Sequence, residues 1–466
     1  MQQSEIEFTS SYPSAFGSAQ QGPALPEDDD SDWLTSEKDR FFESWRVPVG
    51  KAANAVVRRV LNQIQRYEEM NQLRDRKRTQ VVQSNFETTV RAIVCDMLHC
   101  VITGHTDGVA ISRSHRQTTA KSRYKAAFIG KTLPDILDLM ASPELSLITQ
   151  EIGYRDPHAT RDQLTKIWPG ETLERLATEH DVQIGDIRFR APAECVILKS
   201  TKKGFWDSSQ LIDYTDTPET KRKRLEVRQI NEWLSGAQIE FDYKRAPVEQ
   251  PVDIYDRHLR RIFTRRSFTS GGRLFGGFWQ RLKREHRTGL LIQGERVCEL
   301  DYGQIAPRLL YSYAGRKPPE ADIYTLPEFA NDPKKEMWRK GIKSLMNAVT
   351  FMEKPITRKP KGTKDSLPAD HSAEELVGML RRLHPGIAPY FETGIGHHLQ
   401  FLESQILVEV LMLARTRGII ALPIHDAVII PSSRTEEVKE IMLSVSEKQT
   451  GLIVPVSKKE WGIGLH

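Results

Sequence analysis

Residues 296–310 read Arg-Val-Cys-Glu-Leu-Asp-Tyr-Gly-Gln-Ile-Ala-Pro-Arg-Leu-Leu, a pattern that predicts an apolar strand ending at an acid and a helix starting within five residues of Asp301. Pro307 fits such a helix only in its first turn, where its missing N–H has no intrahelical partner. The carboxylate of Asp301 is thereby predicted at the mouth of a sheet.

Working outward, residues 418–431 (GIIALPIHDAVIIP) place two apolar runs around a short polar pair. That pattern predicts a hairpin whose turn displays His425 and Asp426, beside a sheet that brings Asp426 towards Asp301. Two carboxylates converging at strand ends make a hard, oxygen-only site suited to Mg²⁺, which takes its other ligands from water and substrate phosphates. Two such ions about 4 Å apart would activate an attacking 3′-hydroxyl and stabilise an in-line phosphoryl transfer.

Between these stretches lies NDPKKEMWRKGIKSLMNAVTF, residues 331–351. Asp332 as N-cap, Pro333 at the first helical position and Pro355 beyond the end predict a helix of about five turns. Arg339, Lys343, Asn347 and Phe351 recur every four residues and share one slowly rotating stripe. Its two cations would meet a triphosphate, and the polar and aromatic residues after them a sugar or base. Taken singly, each feature has an ordinary reading: an acid capping a helix, a polar turn, a solvated cationic helix face. Their occurrence in this order, acid at a strand end, cationic helix, His-Asp hairpin, favours the functional one.

The order resembles the polymerase motifs of family A, the group of bacterial DNA polymerase I and related phage enzymes. Asp301, Tyr302, Gln304, Ile305 and Arg308 match the family's Asp-Tyr-Ser-Gln-Ile-Glu-Leu-Arg. Arg339 and Lys343 look like the fingers-helix pair, and His425-Asp426 like the start of His-Asp-Glu. His384-Pro385-Gly386-Ile387 is similar to Tyr-Pro-Gly-Val, and Ser270-Gly271-Gly272-Arg273-Leu274 to the Thr-Gly-Arg-Leu motif. The likeness covers roughly residues 255–466, with Trp461 and His466 similar to the family's ending. It implies Asp301, Asp426 and Tyr302 as metal ligands for two Mg²⁺ ions, and Arg339, Lys343, Asn347, Phe351 and Ala306 against the nucleoside triphosphate. Arg273 and Gln280 are implied at the primer terminus, with His425, Arg265 and Arg266 also towards nucleic acid.

The chain departs from the pattern at informative places. Ala306 stands for the glutamate that crowds the ribose 2′-hydroxyl, Phe351 for the fingers tyrosine, Asn347 for the aromatic residue that discriminates at the sugar 3′ position, and Ala427 for the glutamate after His-Asp. Loss of the steric gate implies tolerance of ribonucleotides. No strand carries the Asp-x-Glu pair of a proofreading exonuclease, so none is expected. Compact chains of this kind resemble polymerase-like proteins of bacterial mobile elements and phages, some of which make primers. A primase or RNA-synthesising polymerase is therefore one alternative, and a catalytically degenerate DNA-binding replication factor another. DNA template and primer and nucleoside triphosphates are the expected partners, with a helicase or single-strand-binding protein as a further partner.

The whole chain is consistent with this reading. Its 466 residues allow about two to four domains. The first 45 residues hold ten acids and two bases, a net of −8 against the chain's +5, so residues 46–466 carry +13. A basic body points to nucleic acid or an anionic membrane. No apolar run reaches the roughly 18 residues of a membrane span, and no secretory signal opens the chain, so a cytoplasmic protein without a membrane partner is expected. Four cysteines without a repeating framework fit a reducing compartment.

The expected organisation is a disordered acidic tail over 1–45, an N-terminal nucleic-acid-binding or thumb-like region over 46–245, and palm and fingers over 246–466. The fold class is α+β: a right-hand-like polymerase with an antiparallel palm sheet and helical fingers. The N-terminal region reads as mostly helical, with two amphipathic helices over 50–103. Residues 131–180 then read as helix, strand pair and helix, compatible with a winged-helix-like module. Cys95, His99, Cys100 and His105 have metal-ligand chemistry, but the apolar residues among them favour a buried helix. Arg257, Arg260, Arg261, Arg265 and Arg266, interleaved with Tyr255, Phe263 and Phe268, are expected to touch the phosphates of a primer–template duplex.

Overall fold

The computed structural model describes residues 40–154, 163–190, 192, 194–202, 209–459 and 461. Residues 1–39 of the acidic tail, most of the charged turn after Tyr154, and His466 lie outside the described residues. Residues 40–45, assigned to that tail by composition, instead belong to the fold. Strand β1 (Arg40–Phe41) pairs in parallel with β3 (Val109–Ile111), and the Trp45 ring meets Phe128 edge-on.

In the N-terminal half, β2 (Arg46–Pro48) leads into helices α1 (Lys51–Met70) and α2 (Gln80–Thr103), the pair expected from the helical spacing. After β3 come α3 (His115–Thr119), α4 (Leu133–Met140), β4 (Ile148–Glu151), β5 (Thr165–Pro169), α5 (Glu171–Glu179) and β6 (Ile187–Phe189). The strand order is β1-β3-β5-β4, with β5 antiparallel to both neighbours, while β6 pairs with β2. Val60, Ile64, Val94, Leu98, Leu137, Leu147 and Leu173 meet in a core confined to this half.

The second half runs β7 (Val196–Leu198), α6 (Pro218–Ser235), β8 (Ile239–Phe241), β9 (Arg260–Phe263), β10 (Gly271–Phe275), α7 (Phe278–Arg281), β11 (Leu290–Ile292), β12 (Glu295–Tyr302) and α8 (Ile305–Tyr313). It continues with α9 (Lys335–Phe351), α10 (Ala373–Leu383), α11 (Gly396–Thr416), β13 (Leu422–Ile424), β14 (Ala427–Pro431), α12 (Thr435–Thr450) and β15 (Val456–Lys459). The architecture is α+β. Val227, Ile230 and Leu234 of α6 pack into the core of this half, so it begins well before residue 246. Helix α6 starts where Thr217 accepts from the backbone N–H of Thr220 and Pro218 takes the first helical position.

A six-stranded sheet of order β13-β14-β12-β11-β8, with β15 pairing β12, is antiparallel throughout. Side chains alternate across β12, so Cys298, Leu300 and Tyr302 enter the core while Glu299 and Asp301 share the opposite face. Helices close the core side, and the Tyr302 hydroxyl donates to the Met442 carbonyl of α12 at 2.6 Å.

Strands β7, β9 and β10 form a separate three-stranded sheet. Register slips between Gly271 and Arg273, a bulge that re-aims the Arg273 side chain. Gly272 holds φ +86°, and a Cβ there would lie 2.8 Å from both the Phe263 ring and the Ser404 hydroxyl. Gly272→Ala is therefore expected to lower unfolding free energy by roughly 1–3 kcal/mol, read as a shift of the denaturation midpoint. An unchanged midpoint would show that the bulge carries no such constraint.

Candidate functional site

Asp301 and Asp426 reach one place because of register. Asp301 lies directly across from Ala427 of β14, and Ile424 pairs with Ala427, so His425 and Asp426 form the two-residue turn of a hairpin. His425 takes the turn with φ 52°, as the first central residue of such turns requires. The expected strand-end acid and His-Asp hairpin are both present, and Asp426 ends one residue beyond the strand position facing Asp301.

Burial, and then repulsion from Asp426, holds the Asp301 carboxyl above its ordinary value. Burial also pushes Asp426 up, against the opposing pull of Arg273, Lys459 and Lys343. Three cations from three different elements thus act on one or both acids. Lys459 of β15 stands opposite Glu299 and diagonal to Asp301 on the same sheet face; its Nζ lies 3.7 Å from Glu299 and hydrogen-bonds Asp301. Lys343 of α9 lies within electrostatic reach of both carboxylates. Arg273 is gripped by the buried Glu403 of α11, at 2.8 and 3.2 Å.

Helix α9 carries the predicted stripe, although it begins at Lys335 rather than at Pro333. Asp332 does not cap it: its carboxylate accepts from the Lys334 N–H at 2.7 Å and closes a turn just ahead of the helix. Arg339 bonds Asp322 at 2.6 and 3.1 Å, and Gln304 of the first motif also donates to Asp322. Burial alone would raise Asp322, but the bond from Arg339 holds it below the usual carboxylate range. Asp322 is a site residue that the sequence reading missed, because an acid in a loop has no local pattern to mark it. Asn347 is exposed, and the Phe351 ring sits 5.0 Å from His397, edge to face. Ala306 is half-buried in the first turn of α8.

Other predicted residues are held differently. Tyr302 has its ring in the core and its hydroxyl on Met442, so only its main-chain carbonyl is left to serve a metal. Gln280 donates to the carbonyls of Leu274 and Pro423 and accepts from the Gly276 N–H, which makes it a clasp between β10 and β13. His425 meets the Phe275 ring at 6.1 Å. Arg265 pairs with Glu353, and Arg266 bonds the Lys199 carbonyl through its backbone N–H.

The expected phosphate-facing arginine cluster is corrected at two positions. Its middle is the strand β9. Arg261 is fully buried and bonds the Gly272 carbonyl, Ser404 and Gln405, and Arg257 is buried on the carbonyls of Ile254, Leu234 and Ala237. Both guanidiniums are consumed by the fold. Of the Cys/His group on α2, Cys95 is buried, Cys100 accepts from Arg40, and His99 bonds Asp253 at 2.9 Å. Among the described residues no group of three or more His, Cys, Asp or Glu side chains could hold a metal ion. None of their helices is long and apolar enough to cross a membrane.

The donor chemistry at Asp301 and Asp426 fits a hard cation: two half-buried carboxylates, one of them ion-paired to a lysine. Two acids alone leave most of a coordination shell to water, main-chain oxygen and substrate.

No protein-family model matches this chain. No curated protein matches it. Among solved structures, the POL domain of Pol1 from M. smegmatis, in complex with DNA primer-template and dNTP, is similar at 12% identity and a TM-score of 0.31. The match covers 56% of this chain and 57% of that one, so the chain spans little more than half of that domain.

The raised carboxyls have a consequence for stability. Between the ordinary value of 3.8 and the raised native value, the folded chain binds more protons than the unfolded chain, so stability falls as pH rises through that window. Asp426→Asn removes one of the two charges. In chelator it is expected to stabilise the chain above that window by on the order of 1 kcal/mol, the scale of one pKa unit, and to match the wild type at acid pH where Asp426 is protonated. Thermal denaturation at both pH values reads this, and equal melting temperatures above the window would contradict it.

Proposed function

We propose that this chain is a template-directed nucleotidyltransferase, a DNA polymerase of the family A type that adds nucleoside triphosphates to a 3′-hydroxyl without proofreading. The observation that carries the reading is the convergence of Asp301 at the end of β12 and Asp426 in the adjoining hairpin turn, both within electrostatic reach of Lys343 of α9. Asp301 and Asp426, with the Tyr302 carbonyl, would hold Mg²⁺, which when bound supplies the positive charge that favours an alkoxide nucleophile and a pentavalent phosphate. The chain's own residues do the positioning. Lys343 and Arg339 neutralise the triphosphate, Arg273 faces the primer terminus from β10, and Asp322 orients Arg339 and Gln304 together. Lys459 screens Asp301 until a stronger cation arrives.

The antiparallel sheet bearing the acids and the cationic helix over it support a palm and fingers. In the N-terminal half, the order α2-β3-α3-α4-β4-β5 with strand order β3-β5-β4 supports the winged-helix reading. A primase or RNA-synthesising variant of the same activity is favoured by one observation: neither Ala306 nor Phe351, packed against His397, offers a group to crowd a ribose 2′-hydroxyl.

Extension of a primed and an unprimed template with deoxy- or ribonucleotides tests this directly. Asp301→Ala and Asp426→Ala are each expected to abolish product, and tight DNA binding with no synthesis by the wild type would replace the enzyme with a binding factor. Lys459→Met is expected to lower the Mg²⁺ concentration for half-maximal activity, because the ion no longer displaces an ammonium; a higher requirement would make Lys459 part of the catalytic apparatus. Asp322→Ala is expected to raise the KM for the triphosphate more than it lowers kcat, and the reverse split would remove its assigned role of orienting Arg339.

A further inference from the structure

From Ser112 to Pro134 the chain carries six bases, Arg113, Arg116, Lys121, Arg123, Lys125 and Lys131, and no acid. Two serve the fold: Arg113 bonds Asp138 at 2.6 Å, and Arg123 bonds Glu194 and Asp216, each at 2.8 Å. Lys121 and Lys131 are exposed. With Lys125, whose Nζ donates to the Thr118 carbonyl at 2.6 Å, they line a cavity of about 430 Å³ between α3 and α4, beside Thr119, Ser122 and Ile129. The Ser122 hydroxyl donates to Asp213 at 3.5 Å and the Thr119 hydroxyl to the His115 carbonyl at 2.6 Å, so it is the exposed ammonium groups of Lys121 and Lys131, in a lining without a carboxylate, that suit an anion with several acceptor oxygens.

We propose that this cavity binds a phosphate of a nucleic-acid strand, so that α3 and the loop after it, and not α4, form the strand-facing surface of the N-terminal half. Helix α4 is unsuited to that role, since its outward positions carry Asp135 and Asp138, which repel phosphate. The loop lining the cavity is also fixed to the other half of the chain. Besides Arg123, the Tyr124 hydroxyl donates to the Ile212 carbonyl at 2.7 Å and accepts from the Leu198 N–H at 3.1 Å, which anchors it on β7. Strand β7 pairs with β9, and β9 with β10, the strand that carries Arg273. A strand in the cavity is thereby held at a fixed offset from Arg273. That last step rests on the polymerase reading, whereas the phosphate site itself does not.

The test uses the full chain and the double variant Lys121→Gln/Lys131→Gln, with fluorescence anisotropy of labelled single-stranded and primer–template DNA over a salt series. Loss of this phosphate contact is expected to weaken binding and to reduce the slope of log affinity against log salt by about 1. Lys121→Arg/Lys131→Arg, which keeps the charges, is expected to retain the wild-type slope. Unchanged affinity and slope in the Gln variant would overturn the site. A variant that loses binding of labelled ATP or inorganic phosphate while keeping its DNA affinity would assign the cavity to a free phosphate compound, and would equally overturn the strand assignment. Primer extension by the wild type, measured separately, keeps the two readings apart: no synthesis together with the expected loss of DNA affinity in the Gln variant would remove the polymerase reading and leave the phosphate site standing.

Discussion

Two carboxylates held at the same end of neighbouring strands repel each other, and burial makes each charge costlier still. Everything around Asp301 and Asp426 is a response to that constraint. Register alone brings them together, since Asp301 faces Ala427 and Asp426 is the residue before it. The cations then arrive from far along the chain: Arg273 on a bulged strand, Lys343 on α9, and Lys459 on the last strand, 158 residues from the acid it bonds. An amide at either position would relieve the repulsion, and so would a nearby positive charge.

How much of this was legible in the sequence follows from how local each feature is. Asp301 and Asp426 were legible because strand alternation and a two-residue turn are written in adjacent residues. The stripe on α9 was legible for the same reason, although its start was misplaced: Asp332 and Pro333 make a turn that ends two residues before helical geometry begins. Lys459 and Asp322 were not legible, since each acts only through a partner brought near by tertiary structure. Arg257 and Arg261 were misread because a basic residue beside aromatics looks the same whether it faces phosphate or carbonyls. What decides between them is that β9 lies between β7 and β10, which turns Arg261 inward, and no single segment encodes that.

The two main apolar cores are separate, and besides the packing of Tyr124 against Ile197, Ile262 and Phe275, polar groups join the halves. Asp253 does much of this. Its carboxylate accepts from His99 of α2 at 2.9 Å and lies 3.5 Å from Arg46, while its other oxygen accepts from the Tyr255 N–H. Burial would raise this acid, but the bond from His99 and the charge of Arg46 bring it down to about 2. Burial acts against a charge on His99 and holds it below its ordinary value. Arg46 also bonds the fully buried Asp96, which extends the network to Arg40 and to the backbone of Glu43. A polar junction of this kind is directional where apolar packing is not, so it fixes the orientation of one half against the other.

The departures at Ala306 and Phe351 fit the same geometry. Phe351 ends α9 with its ring against His397, and a Cβ on Gly396 would come within 2.7 Å of that ring, so the start of α11 is cut away to accommodate it. The aromatic position is thus built into the packing, and only the hydroxyl that a tyrosine would add is missing. The first turn of α8 carries the half-buried Ala306. A steric gate needs bulk from one side and a fixed partner on the other. In the proposed polymerase reading, the aromatic partner of such a gate is held by packing while the bulk on the α8 side is absent.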